Sequence, residues 1–82
     1  MNINTDIKEK LRNIYAEVLQ LDSEDIVDGP GLVERLSIQS LQALQLIVKI
    51  ENEFGIVIID EEEMIHKLDE IDELQQYIAT LL

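Results

Sequence analysis

The sequence predicts an all-α fold, a small four-helix bundle with three longer helices, one short third helix and a long loop between the first two. Apolar residues recur at helical spacing in separate stretches of the 82-residue chain. The strongest breaker, Asp28-Gly29-Pro30-Gly31, separates the first two stretches. The β-branched run over 56–59 has no second strand with which to pair. Residues 1–82 are therefore expected to form one domain.

Composition excludes several classes of function. The chain carries 18 acidic and 6 basic residues, a formal charge of −12, which would repel a nucleic acid backbone. It has no cysteine, so it can form neither a disulfide nor a thiolate metal site. No apolar run reaches the roughly 20 residues of a membrane helix, and the N-terminus does not resemble a signal peptide. We expect a cytoplasmic monomer that binds neither nucleic acid nor membrane.

The first helix is expected over residues 5–19, with Asn4 or Thr5 as its N-terminal cap. Its apolar stripe has helical spacing and consists of Ile7, Leu11, Ile14, Val18 and Leu21. A mostly irregular connection is expected over 23–37, with a short capped turn at its start. Three residues should anchor this connection in the core: Ile26, Leu32 and Leu36.

The second helix is expected over residues 40–53 and carries about twice the apolar arc of roughly 100° that one packed face needs. The expected core face consists of Ala43, Leu46, Ile47, Ile50 and Phe54. A second apolar stripe lies beside it, near Ser40, and consists of Leu41, Leu44 and Val48. This second stripe is either covered by the long loop, part of an internal apolar pocket, or offered to a partner.

The remainder of the chain is expected to complete the bundle. Gly55 should end the second helix in a left-handed conformation, and residues 56–59 should form an extended plug with alternate residues in the core. A short third helix begins at the acidic run 60–63, and its inward residues are Met64, Ile65 and Leu68. The last helix begins between residues 69 and 72, and its stripe consists of Ile71, Leu74, Tyr77, Ile78 and Leu81.

The residues do not indicate a catalytic or metal site. Any Ser-His-acid triad would need the single histidine, His66, which lies among Met64, Ile65, Lys67 and Leu68 on the short helix. A calcium loop beginning at Asp22 would need glycine at its sixth position and glutamate at its twelfth, where the chain has Val27 and Val33. We therefore predict that the protein is not an enzyme and holds no metal.

Two serines, Ser37 and Ser40, lie where the loop gives way to the second helix. A serine at a helix start can cap it, and the free N–H groups and the helix dipole at such an end also favour a phosphate. A hydroxyl held at this point could carry a phosphodiester.

Two segments of the chain resemble the acyl carrier protein family, in the broad sense that includes peptidyl carriers. Residues 36–41 read Leu-Ser-Ile-Gln-Ser-Leu, where the family typically has Leu-Gly-x-Asp-Ser-Leu. Residues 51–56 read Glu-Asn-Glu-Phe-Gly-Ile, close to the family's Glu-x-Glu-Phe-Gly-Ile, and the interval between the segments fits without a gap. The resemblance extends over essentially the whole chain, whose length suits a free-standing carrier.

The resemblance implies that Ser40 is esterified with 4′-phosphopantetheine, which a separate phosphopantetheinyl transferase takes from coenzyme A. The thiol of this arm would carry an acyl or aminoacyl group as a thioester between loading and condensing enzymes. Ser37 stands where the family usually has glycine, and we interpret it as a loop or capping residue. The second helix would be the docking surface, with partner-binding candidates Gln39, Leu41, Leu44, Gln45 and Val48.

Two departures from the family pattern bear on the pathway. Gln39 replaces the aspartate that usually precedes the modified serine, and the polar side of the second helix (Gln42, Gln45 and Lys49) is not acidic as in fatty-acid carriers. A neutral face gives weak electrostatic steering. This favours a carrier for polyketide or nonribosomal peptide enzymes. The alternatives are a fatty-acid or D-alanyl carrier, and an acidic helical adaptor without a prosthetic group.

Overall fold

The computed structural model describes residues 3–82, and within that range it is all-helical and contains no strand. Its helices are α1 (Ile3–Leu19), α2 (Leu32–Arg35), α3 (Ser40–Phe54), α4 (Glu61–Lys67) and α5 (Ile71–Leu81). A 3₁₀ turn at Ser23–Asp25 follows α1, where a short capped turn was predicted. The predicted bundle is confirmed, with α1, α3 and α5 as the longer helices and α4 as the short one. The single-turn α2 was not predicted.

The core lies where α1 packs against α3 and α5. The largest fully buried side chains are almost all aliphatic: Leu11, Ile26, Leu32, Leu46, Ile50, Met64, Leu68, Ile71, Leu74 and Ile78. Tyr15 is also fully buried, and its hydroxyl donates a hydrogen bond to the Leu68 carbonyl oxygen at 2.7 Å. Burial raises the pKa of Tyr15, and the negative charge of Asp69 raises it further. Tyr15 was not among the residues of the predicted apolar stripe.

Several sequence-based details are wrong. α1 begins at Ile3, before the predicted caps Asn4 and Thr5. Leu21 and Leu81 were predicted to belong to apolar stripes, but both are exposed. Leu21 lies beyond the end of α1, and Leu81 lies in the last turn of α5. Ile65 does not face inward, because it directly follows the buried Met64 and each helical residue is rotated by about 100° from the previous one.

The segment over 56–59 is neither helix nor strand, and its alternate residues pack into the core, as predicted. Ile56 and Ile58 are buried, whereas Val57 and Ile59 are exposed. The Ile58 N–H donates to Oε2 of Glu51 at 3.0 Å, so a side chain from α3 supplies the partner that a neighbouring strand would give. Gly55, at φ 64°, ends α3 in the predicted left-handed conformation.

The connection between α1 and α3 is tied down by charged side chains. Asp28 lies 2.6 Å from both Lys8 Nζ and Arg12 Nη2 on α1, and Lys8 also reaches Asp72 on α5 at 2.7 Å. Burial opposes ionisation of Asp28, but the bonds from Lys8 and Arg12 outweigh it and hold the pKa of its carboxyl below the usual value. The ion pairs of Asp28 fix the middle of the connection to α1, and Lys8 links this point to α5.

Arg35, the last residue of α2, holds the loop that precedes it. Its guanidinium donates to three backbone carbonyl oxygens at 2.9–3.2 Å, those of Val27, Gly29 and Pro30. The predicted anchors are confirmed, since Ile26 and Leu32 are buried and Leu36 packs partly buried against the core. Ile38 is a further buried anchor that was not predicted.

Candidate functional site

A tight turn at Ser37 connects α2 to α3. The Ser37 N–H donates to the Glu34 carbonyl at 3.2 Å and the Ile38 N–H to the Val33 carbonyl at 2.9 Å. These are the two hydrogen bonds of a Schellman motif, whose turning residue is left-handed and usually glycine. Ser37 takes that conformation, with φ 54°, in which a side chain costs about 1–2 kcal/mol. The turn gives a physical reason for the glycine of the family pattern at this position.

Ser40 is the first residue of α3 and does not cap it, contrary to one expectation from the sequence. Gln39 occupies the N-cap position with an extended backbone, and its N–H donates to Oε1 of Gln42 at 2.9 Å. The Ser40 side chain is exposed. The first turn of α3 contains no acidic residue, so no carboxylate neutralises the positive end of the helix dipole beside this hydroxyl.

A largely apolar groove of about 320 Å³ opens beside Ser40. It is lined by Val33, Ile38, Gln39, Ser40, Ala43, Leu44, Ile65 and Leu68. Leu46, Ile50 and Ile58 are buried in the core and do not line this groove. The groove is instead built by α2, the Ser37 turn, α3 and α4, which meet around the exposed hydroxyl.

Two sides of α3 differ sharply in burial. Ala43, Leu46, Ile47 and Ile50 are buried, as predicted, and Phe54 is partly buried. The second stripe is exposed at 67% for Leu41, 47% for Leu44 and 53% for Val48. The long connection therefore does not cover this stripe.

The predicted partner-binding residues lie together on the exposed side of α3. Leu44, Gln45 and Val48 line a groove of about 530 Å³ between α1 and α3, and Leu41 follows Ser40 on the same helix. Gln39 and Gln45 are also exposed. Lys49 borders this groove, and its ammonium lies 2.9 Å from a Glu17 carboxylate oxygen, which offsets its charge. The predicted partner-binding residues are thus a mixture of apolar and neutral polar side chains.

Two features of the site were missed from the sequence. Val33 and Ile38 form one wall of the groove, and Ile65 on α4 and Leu68 directly after α4 form part of another. One signal could have revealed the wall formed by Val33 and Ile38. The family has a glycine where this chain has Ser37, and such a glycine marks a helix end whose flanking apolar residues contact one another. His66 is exposed. Within residues 3–82, no cluster of side chains suited to a metal is found, and no helix could cross a bilayer.

Comparison with known proteins identifies the class. A family model described as "phosphopantetheine attachment site" matches residues 9–78. Polyketide-8 synthase acyl carrier protein 2 of Streptomyces avermitilis is 38% identical over 55 residues, 67% of this chain and 63% of that protein. Acyl carrier proteins of Thermosynechococcus vestitus and Karelsulcia muelleri are 35% identical over 74 residues and 31% identical over 77 residues. These matches cover 90% and 94% of this chain, and 89% and 90% of the two relatives.

The helical bundle and the attachment-site match define a phosphopantetheine-binding carrier domain. The chain belongs to the acyl carrier protein family, as its sequence pattern predicted. Its cofactor is 4′-phosphopantetheine, bound covalently and derived from coenzyme A. Members of this family are carriers rather than enzymes, and they interact with a phosphopantetheinyl transferase and with biosynthetic enzymes.

Proposed function

We propose that Ser40 carries the 4′-phosphopantetheine arm and that residues 1–82 act as a single carrier domain. The observation that carries the proposal is the position of Ser40. Its exposed hydroxyl stands at the amino end of a 15-residue helix, beside an apolar groove. Backbone N–H groups and the helix dipole at this end favour the phosphodiester. The groove offers apolar surface to the arm and its cargo.

Ser37 is the competing serine, and its surroundings are less suitable. It is exposed, but it follows the carboxyl end of α2, where helices present carbonyl oxygens and the negative end of the dipole. Its left-handed backbone serves the turn itself. The two serines, three residues apart, therefore differ in the sign of the local field that a phosphate would meet.

The test is the intact mass of the protein after incubation with coenzyme A and a broad-specificity phosphopantetheinyl transferase. We expect wild type and Ser37→Ala to gain one phosphopantetheine, on the peptide that contains Ser40, and Ser40→Ala to gain none. Helical content should be unchanged in Ser40→Ala, because Gln39 and not Ser40 is the N-cap. Loading of Ser40→Ala, or failure of a folded wild type to load, would refute the assignment.

We further propose that the exposed stripe of α3 is the docking surface and that the pathway is a specialised one, such as polyketide or nonribosomal peptide synthesis. The candidates Gln39, Leu41, Leu44, Gln45 and Val48 include no charged residue, so partners should bind mainly by apolar contact. One relative is named as a polyketide synthase carrier. Loading rates should then change little between low and high salt, because screening acts on charged contacts. A steep decline of the loading rate with rising salt would instead favour partners that bind by charge, as expected for a fatty-acid carrier.

A further inference from the structure

Asp69, between α4 and α5, holds the start of α2 although it lies far away in sequence. Its Oδ2 accepts a hydrogen bond from the Gly31 N–H and its Oδ1 one from the Val33 N–H, both at 3.1 Å. Its backbone carbonyl accepts a third from the Leu32 N–H at 2.9 Å. Three consecutive amides at the start of α2 are thus bonded to one residue, which satisfies donors that a helix cannot satisfy internally.

The peptide that carries Asp69 is itself fixed to the core. The preceding residue, Leu68, is fully buried, and its carbonyl oxygen accepts the bond from the Tyr15 hydroxyl on α1. Asp69 therefore joins a rigid part of the bundle to a helix of only four residues. Such a short helix has little stability of its own, so its position depends on these bonds and on the buried Leu32.

Asp69 is connected to the segment that precedes Ser40 by two successive hydrogen bonds. From Val33, whose N–H is held by Asp69, the Schellman bond runs to Ile38, two residues before Ser40. Val33 and Ile38 also form one wall of the groove, whereas Leu68, adjacent to Asp69, forms part of another. The Asp69 contacts are therefore connected both to the segment that precedes Ser40 and to two walls of the groove.

We propose that Asp69 is a positioning residue for the modification of Ser40, acting through α2 and the Ser37 turn. This inference rests on the assignment of Ser40 as the attachment residue. Loss of the carboxylate bonds frees the turn to sample conformations that a transferase does not bind. Its apparent affinity for the carrier then falls with the fraction of competent molecules, whereas the rate of transfer in the bound complex is maintained.

Asp60 offers a matched control. Its Oδ1 accepts from the Glu63 N–H at 3.0 Å and caps α4, so Asp60→Ala also removes one carboxylate cap and one negative charge. It leaves the start of α2 untouched. Asp69→Asn keeps one oxygen acceptor and serves as the conservative variant, and the backbone bond to Leu32 survives in every Asp69 variant.

The experiment measures KM and kcat of phosphopantetheine transfer to the carrier for wild type, Asp69→Ala, Asp69→Asn and Asp60→Ala, at a temperature where circular dichroism shows all four folded. We expect Asp69→Ala to raise KM about fivefold with kcat nearly unchanged, Asp69→Asn to lie between it and wild type, and Asp60→Ala to resemble wild type. Equal values for Asp69→Ala and Asp60→Ala would overturn the proposal, because Asp69 would then be only a stabilising cap.

Amide hydrogen exchange on the same proteins separates this inference from the function it rests on. In Asp69→Ala, we expect faster exchange at Gly31, Val33 and Ile38, and in Asp60→Ala only around Glu63. If the wild type takes up no arm, the proposed function fails, and exchange at Ile38 then decides whether Asp69 holds the turn. Unchanged exchange at Ile38 in Asp69→Ala overturns the positioning role even where loading succeeds.

Discussion

The three long helices and the connection over 20–39 are held in place by different interactions. α1, α3 and α5 meet through aliphatic side chains that are almost wholly buried. The connection buries Ile26, Leu32 and Ile38, but its path is set by ion pairs from Asp28 and by hydrogen bonds from Arg35 and Asp69. Stability should therefore reside mainly in the helices. The geometry around Ser40 depends on polar bonds that contribute about 1 kcal/mol each.

The largest effect is expected from a substitution in the packed helices. Leu46→Ala removes a fully buried side chain and should lower the free energy of unfolding by about 2–5 kcal/mol. Leu44→Ala, the same change two residues away on the exposed stripe, should shift it by about 0.5 kcal/mol or less. Urea denaturation measures the free energy of unfolding of both variants and of wild type. Equal losses would show that the exposed stripe is part of the core and is not free for docking.

Asp28→Asn tests the ion pairs of the connection and should lower stability by about 1 kcal/mol at neutral pH, because these groups are partly exposed. The pKa of Asp28 is held down in the folded state, so its contribution is present above the unfolded-state pKa of about 3.9. It is lost as the pH falls through the folded-state pKa.

Unfolding of wild type and Asp28→Asn in urea at a series of pH values checks this sign. The stability difference between the two proteins should be largest at neutral pH and vanish in strong acid. A difference that does not depend on pH would mean that Asp28 acts through packing or loop conformation and not through its charge.

The last comparison concerns the two left-handed residues that end α2 and α3, and its Ser37 variant has the smallest expected effect. Ser37→Gly relieves side-chain strain at φ 54° and should raise stability by about 0.5 kcal/mol, since glycine also increases the entropy of the unfolded chain. Gly55→Ser should lower it by about 1 kcal/mol, although a Cβ at Gly55 would meet no atom within 4 Å. Thermal unfolding measures both. A gain in stability for Ser37→Gly and a loss for Gly55→Ser would show that backbone conformation, and not side-chain contacts, determines which residue is favoured at these positions. A loss for Ser37→Gly would contradict the strain at Ser37.

The same comparison explains which parts of the fold were predictable from the sequence. Leu46 and Ile50 belong to a stripe that repeats within one helix, so periodicity identified them as core. The alternation of buried and exposed residues over 56–59 also depends only on neighbouring residues, so it too was predictable. The partners that fix the connection are separated by long stretches of chain, 16 residues from Arg12 to Asp28 and 38 from Gly31 to Asp69. No local pattern records such pairs, and α2 is too short to show a period.

The candidate site was predictable only in part for a similar reason. The family pattern singled out Ser40, and helical spacing identified the stripe beside it. The structure shows that both are exposed. The groove draws Val33, Ile38 and Ile65 from three different elements, and Ile65 had been assigned to the core because it is apolar. A side chain that packs against a groove and one that packs into the core have the same composition, so only the fold distinguishes them.

The plug over 56–59 has a consequence for how the protein behaves at high concentration. Four β-branched residues in a row, two of them exposed, are the kind of segment that pairs between chains and nucleates aggregates. Glu51 already occupies the Ile58 N–H, and the acidic run 60–63 that follows would bring like charges together in any stacked assembly. The protein's negative charge is then its protection against self-association. That protection should fade as the pH approaches the isoelectric point near 4.1.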